Sequence, residues 1–240
     1  MLSLSRTDPI TIASLAAQME HYLERTNFTY LLVALLVLLL AVPLTDDLMI
    51  NSPRFVKALL FSAILVIGIG SLKGTGRSLF AGMVFVVAGI VLNLLTAQFH
   101  STFFQFGSLF ALIGFFLVAI AHTMKQVAIG TDMSVNRILG AICVYLLLGV
   151  IWALAYSVLE LSAPGSFGGF EAWTDRGWDS EWLYFSFVTM TTLGYGDLLP
   201  LTATARAMAY MQAVFGQFYV AVLVAGLVGA YIAQKDASRR

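Results

Sequence analysis

Seven consecutive residues near the C-terminal end have the most specific chemistry in this sequence. Glycine alternates with larger residues in the segment Thr191-Thr192-Leu193-Gly194-Tyr195-Gly196-Asp197. Because glycine has no Cβ, it tolerates backbone angles that turn successive carbonyl groups toward one axis. Carbonyls arranged in this way can replace the water around a desolvated monovalent cation, and the Thr192 hydroxyl adds another oxygen. The competing interpretation is a glycine-rich turn between two helices.

No other group of residues offers comparable chemistry. His21, His100 and His122 are widely separated, and the single cysteine, Cys143, lies in an apolar run. No Ser/His/Asp set or pair of carboxylates suggests catalysis. The sequence therefore predicts a protein that is not an enzyme and has no cofactor.

The composition is that of a membrane protein. Of the 240 residues, 60% are hydrophobic and 11% are charged, whereas soluble domains average about 45–50% and about 25%. The predicted surroundings are therefore membrane lipid. The formal net charge of zero gives no indication of a nucleic-acid partner.

The apolar residues fall into six runs of roughly the length that crosses a bilayer, about 17–25 residues. The predicted spans are 28–44, 55–72, 78–98, 103–124, 135–160 and 203–233. Pro43 is expected to end the first span. Residues 9–25 have apolar side chains at helical spacing, which predicts an amphipathic helix on the membrane surface.

The distribution of basic residues predicts the orientation. If the N-terminus is cytoplasmic, nine of the Lys and Arg residues fall on the inner side and four on the outer side. Cytoplasmic loops carry the excess of such residues, so both termini are predicted to be cytoplasmic. The outer side is acidic, which would concentrate cations there.

Residues 179–190 are too few to span a membrane, but they have the pattern of a short helix with an acidic first turn. A helix that dips into the membrane must be enclosed by protein, because lipid cannot satisfy irregular backbone. Its C-terminal carbonyls would carry a partial negative charge toward a cation. Residues 161–178 form the outer loop before it.

This arrangement resembles the potassium channels of the voltage-gated-like six-transmembrane superfamily. Their selectivity filter is most often Thr-Val-Gly-Tyr-Gly, and this sequence departs from it only at Leu193. The resemblance implies that the carbonyls of 192–196 coordinate K+ as the permeant ion, and that Thr191, Tyr184 and Asp197 support the filter. Tyr184 is expected to donate a hydrogen bond to Asp197.

The same resemblance extends to the last span. Gly216 occupies the position of a hinge glycine in related inner helices. In that register the residues that line the pore are Gln217, Val220, Val224 and Val228. Close helix packing is the alternative explanation for Gly216.

The resemblance implies an all-α membrane protein with six transmembrane helices, a re-entrant pore helix and a selectivity filter. One filter per chain cannot close a ring of carbonyls, so a homotetramer is implied. The expected division is an N-terminal amphipathic helix at 1–27, a voltage-sensor-like four-helix domain at 28–134 and a pore domain at 135–240. The expected location is the cell membrane, plasma or inner.

The fourth span lacks the arginines of a voltage sensor. Residues 101–124 contain no Lys, Arg, Asp or Glu, whereas steep voltage gating needs about 3–4 charges per subunit. Little or no intrinsic voltage sensing is therefore predicted. The alternatives are a weakly selective cation channel, a potassium transport subunit and a membrane scaffold that does not conduct.

Overall fold

The computed structural model describes residues 27–48, 76–99, 101–129, 135–169 and 180–237. These ranges contain six helices: α1 (Asn27–Leu48), α2 (Gly76–Phe99), α3 (Thr102–Ile129), α4 (Val135–Ser162), α5 (Ser180–Met190) and α6 (Ala203–Ala237). Two short strands, β1 (Phe167–Gly168) and β2 (Leu199–Pro200), complete the secondary structure. The span predicted at 55–72 and the amphipathic helix predicted at 9–25 lie outside the described residues.

The expectation that Pro43 ends the first helix is wrong, because α1 continues through Pro43 to Leu48. Proline removes one backbone hydrogen bond and crowds the preceding turn, but the residues after it remain free to adopt helical angles. The side chain of Pro43 is exposed, so its ring does not disturb the packed face of the helix.

Helix α3 runs five residues beyond the predicted end at 124. Its last turns are stabilised by polar contacts that a search for apolar runs does not detect. Gln126 and His122 are joined by a hydrogen bond of 2.6 Å. The Arg137 side chain of α4 donates to the Val127 carbonyl at 2.9 Å, which satisfies a carbonyl that the end of the helix leaves free.

Helix α4 lies at the centre of the described fold. Helices α1, α3, α5 and α6 all pack against it, and α2 packs against α3. Its buried apolar residues recur at one-turn spacing, as expected for a continuous packed face. They include Cys143, Leu147, Val150 and Leu154.

Two helical segments of the described residues are long and apolar enough to cross a membrane, Thr102–Val127 and Asn136–Ser162. Shorter apolar segments lie in α1 and α2. Many large apolar side chains of α1, α2 and α6 remain exposed, among them Phe80, Phe218 and Val222. A bilayer would cover such side chains as readily as protein does.

The described residues are mostly helical, as predicted, and two short strands add a single β pairing. β1 and β2 pair antiparallel, with Phe167 opposite Pro200 and Gly168 opposite Leu199. The Leu201 N–H extends the pairing by donating to the Ser166 carbonyl at 2.8 Å. The ladder therefore joins the loop after α4 to the segment that leads into α6.

Candidate functional site

The C-terminal end of α5 has the hydrogen bonds of a Schellman motif. The Leu193 N–H donates to the Val188 carbonyl at 2.9 Å, and the Thr192 N–H donates to the Thr189 carbonyl at 3.1 Å. In this motif the residue after the helix cap adopts the left-handed conformation and is usually glycine. Here that residue is Thr192, with φ of 60°.

The glycine-alternating segment begins at this left-handed threonine. Thr192, Gly194 and Gly196 have φ of 60°, 58° and 79°, respectively. In the described residues, Thr192 is the only residue other than glycine with positive φ. When left-handed and right-handed backbone conformations alternate, successive peptide groups turn so that the same polar atom of each group can lie on one side of the chain. The backbone of this segment therefore has positive φ at every second residue from Thr192 to Gly196.

Holding Thr192 in this conformation requires support, because a β-branched residue is strained there. Such strain costs about 1–3 kcal/mol and persists only where the surrounding structure determines the conformation. The two hydrogen bonds of the helix cap provide part of this support. The Thr191 hydroxyl, which donates to the Phe187 carbonyl at 2.7 Å, ties the preceding residue to α5.

The segment lies on the surface of the single chain. Residues 191–197 are all exposed, including 55% of Leu193 and 69% of Tyr195. The Tyr195 ring stacks parallel to the ring of Tyr184, with centroids 6.5 Å apart. An isolated chain therefore leaves both large side chains of the segment largely uncovered.

Tyr184 and Asp197 form the hydrogen bond that the sequence predicts. The Tyr184 hydroxyl donates to the Asp197 carboxylate at 2.5 Å. This bond lowers the pKa of Asp197, against a smaller opposing effect of desolvation, and the Leu198 N–H lowers the pKa further. Because the carboxylate accepts both bonds in its ionised form, it keeps its charge to lower pH.

Phe185, the next residue after Tyr184, points into the protein. Its ring lies 4.9 Å from that of Tyr156 and 5.4 Å from that of Phe167, both at steep angles. Trp182 contacts Phe167 at 5.1 Å. Tyr184 therefore contacts the glycine-alternating segment, whereas Phe185 joins an aromatic cluster between α4, α5 and β1.

The loop after α4 packs against the C-terminal end of the glycine-alternating segment, at Asp197. The carboxylate of Glu160, at the end of α4, accepts hydrogen bonds from Gly165 N–H at 2.6 Å and Phe167 N–H at 3.1 Å. Gly169, with φ of 97°, lies so close to Asp197 that a Cβ there would overlap the Asp197 carbonyl oxygen. Sequence reasoning missed both contacts, because neither residue belongs to a recognisable motif.

Gly216 lies against the C-terminal end of α5. A Cβ at Gly216 would lie 2.5 Å from the Met190 carbonyl oxygen and 2.9 Å from Met190 Cγ. The same carbonyl accepts a hydrogen bond of 3.4 Å from the Tyr145 hydroxyl. Helix α6 continues through Gly216 without interruption. Close approach to α5 is thus one requirement for glycine at this position.

The other residues predicted on the last span are described in part. Gln217 and Val220 are exposed on α6, whereas the side chains of Val224 and Val228 lie outside the described residues. Within the described ranges, no group of three or more His, Cys, Asp or Glu side chains could hold a metal ion.

The comparisons with known proteins concern this same half of the chain. Residues 140–233 match the model of a family described as Ion channel. The matched region runs from α4 to α6 and includes α5 and the glycine-alternating segment. Together with the apolar helices, the match supports a membrane protein that contains an ion-channel domain.

Three curated proteins are similar over parts of their length. Two-pore potassium channel 5 of Arabidopsis thaliana is 44% identical over 19% of this chain and 11% of its own. Inward rectifier potassium channel Kirbac3.1 of Paramagnetospirillum magnetotacticum is 35% identical over 32% and 24%, respectively. Two pore potassium channel a of Oryza sativa subsp. japonica is 37% identical over 39% and 23%. The chain thus spans a quarter or less of these relatives, and no solved structure gives a significant match.

Proposed function

We propose that this chain is the subunit of a potassium-selective channel that conducts K+ passively across a cell membrane, with residues 192–196 as its selectivity filter. The observation that carries the proposal is the backbone of this segment. The segment follows the C-terminal end of α5, and every second residue in it is left-handed: Thr192, Gly194 and Gly196. The potassium channels to which the chain is similar support K+ as the ion.

The proposed assembly is a homotetramer. A ring of carbonyls around K+ is built from four filter segments, and each chain supplies one. Neighbouring copies would cover Leu193 and Tyr195, which are exposed in the single chain. Closed rotational symmetry is the usual way for one chain to form such a ring.

The proposed topology has six spans, with both termini in the cytoplasm and Asp197 at the outer mouth. Basic residues favour this orientation. The described part of the fourth span, within α3, carries no charged residue up to Met124. The membrane potential would therefore act on no charged side chain within residues 102–124, and we propose that intrinsic voltage sensing is weak or absent.

The test is reconstitution of the purified full-length chain into proteoliposomes and planar bilayers. The reversal potential should follow the K+ gradient by about 59 mV per tenfold change, the Nernst factor for a univalent ion. Equal permeability to Na+ and K+ would replace this proposal with a weakly selective cation channel. Absence of flux would favour a non-conducting scaffold, and native mass measurement should find four chains.

The hydrogen bond between Tyr184 and Asp197 leads to a pH prediction. The pKa of Asp197 lies below its ordinary value of 3.8, so the favourable effect of its charge is present at neutral pH and is lost only as pH falls through this lowered pKa. External acidification from about pH 7.5 to about pH 5 should therefore leave the filter unaffected through Asp197.

The Y184F variant removes the main cause of the shift, so the pKa of Asp197 should rise. The acid-induced loss of K+ current should then begin at higher pH than in the unmodified channel. Titration of current against external pH measures this difference. Y210F removes a hydroxyl from the exposed side of α6 and should keep the original profile. Identical profiles for Y184F and the unmodified channel would contradict the assignment.

A further inference from the structure

A chain of four buried hydrogen bonds connects α4, α5 and α6 behind the filter. The Tyr156 hydroxyl donates to Gln212 Oε1 at 2.5 Å. Gln212 Nε2 donates to the carbonyl oxygen of Ser186 at 3.0 Å and to Ser186 Oγ at 2.7 Å. The Ser186 hydroxyl in turn donates to the Gly149 carbonyl at 2.6 Å.

The network is fully buried and its donors are all used. Tyr156, Ser186 and Gln212 each have no exposed surface. Their side chains contain four polar hydrogens in total, one per hydroxyl and two on the amide, and these match the four bonds. A buried polar network in which every donor is satisfied holds a single arrangement of the elements it joins.

The place of the network within the fold connects it to the filter. Ser186 lies one helical turn before Met190, the last residue of α5. Gln212 lies one turn before Gly216, which packs on the Met190 carbonyl. The carbonyl of Val188, between Ser186 and Met190, accepts the N–H groups of Leu193 and Gly194 at 2.9 and 3.3 Å. A shift of α6 at Gln212 would therefore move the helix end that holds the filter backbone.

Glycine permits the approach that the network needs. A Cβ at Gly149 would lie 2.5 Å from the ring of Phe187, so a larger residue there would require this ring to move. Gly149 and the hydrogen bond from Ser186 therefore lie at the same contact between α4 and α5. This contact carries no charge, so its contribution does not depend on membrane voltage.

We propose that Gln212 is a positioning residue that couples the inner helix α6 to the filter through Ser186 and Tyr156. This inference rests on the proposed function, since it assigns the network a role in keeping the filter of a channel conducting. Under this proposal, movement of α6 changes how long the filter stays in its conducting conformation. In return, a change in filter conformation shifts the position of α6. Gln212 and Ser186 are fully buried, so neither side chain would touch the permeant ion.

The test separates positioning from stability by comparing two variants with the unmodified channel. Q212M removes the amide and leaves the Tyr156 hydroxyl buried without its acceptor, so the assembly should melt at lower temperature. The triple variant Y156F/S186A/Q212M replaces all three polar side chains and leaves none of them unpaired. Its melting temperature should return close to that of the unmodified protein, because matched apolar replacement of both partners is nearly neutral.

Single-channel recording then supplies the decisive measurement. In the triple variant, which lacks all four bonds, we expect open times at least about three- to tenfold shorter, the factor that corresponds to loss of a single buried neutral hydrogen bond. The K+ conductance of each opening should be unchanged, because the filter residues are intact. S157A removes a neighbouring buried hydroxyl of α4 and should keep the original open times.

Unmodified open times in a triple variant of normal stability would overturn the coupling and leave the network a purely structural role. That result differs from failure of the proposed function, in which the unmodified chain itself carries no selective K+ current. A melting temperature that Q212M does not lower would also overturn the inference, since it would show that the buried bonds are not formed.

Discussion

Replacing Gly194 or Gly196 with alanine is expected to abolish K+ flux while leaving the chain folded. Both glycines have positive φ, 58° and 79°, and a Cβ would meet no atom within 4 Å in the single chain. The expected effect is therefore conformational. An alanine in the left-handed region costs about 1–2 kcal/mol, or about 4–8 kcal/mol for four copies. That energy corresponds to a loss of roughly a thousandfold or more in the population of the conducting backbone.

Gly165 provides a matched control for this prediction. It has φ of 85° and equally open surroundings, but it lies in the loop after α4. G165A should therefore carry a similar backbone cost and keep K+ flux. Flux into proteoliposomes measures the difference, and native mass confirms that each variant assembles. Normal selective flux in G194A and G196A would contradict the assignment of this segment as the filter.

Replacing Gly216 with alanine is expected to destabilise the pore half of the chain. The new Cβ would lie 2.5 Å from the Met190 carbonyl oxygen, and a backbone atom at the end of α5 cannot move aside as a flexible side chain can. Overpacking of this kind typically costs about 1–3 kcal/mol. G216A should therefore lower the melting temperature of the assembly and disturb conduction together.

Gly226 provides a control at which replacement with alanine is expected to leave stability unchanged or raise it, rather than lower it. It lies on the same helix, and a Cβ there would meet nothing within 4 Å. Alanine is favoured over glycine inside a helix by roughly 0.5–1 kcal/mol, so G226A should leave stability unchanged or raise it slightly. Thermal unfolding of both variants measures the contrast.

The same pair of variants tests the hinge that the resemblance implies. If glycine is needed at residue 216 only for bending, G216A should shorten or abolish openings without lowering the melting temperature. If it is needed for close approach, both quantities should fall. Equal melting temperatures for G216A, G226A and the unmodified protein would contradict the packing role derived from Met190.

Local sequence patterns were sufficient to locate most of the described helices. Long apolar runs locate α2, α4 and α6 to within a few residues, because a chain in lipid must satisfy its backbone internally. The bond between Tyr184 and Asp197 was also predictable, since the resemblance to potassium channels implied it. Pro43 misled the prediction because proline constrains the turn before it more than the turn after it.

Contacts between distant residues could not be predicted in this way. Gln212 lies 26 residues from Ser186 and 56 from Tyr156, whereas Gln217 of the same helix is exposed. Thr192 has positive φ, which β-branched residues disfavour. This conformation depends on the surrounding hydrogen bonds, so the residue type did not predict it. The strands are two residues each, too short for a periodic pattern.

The ladder between β1 and β2 has a consequence for the order of folding. The pairing of Phe167 with Pro200 brings two distant parts of the chain together, so the residues from Gly169 to Leu198 form a loop that the two strands close. Closing such a loop has an entropic cost that contacts within it recover only afterwards. We therefore expect the glycine-alternating segment, which lies inside this loop, to be among the last parts of the chain to reach its final conformation.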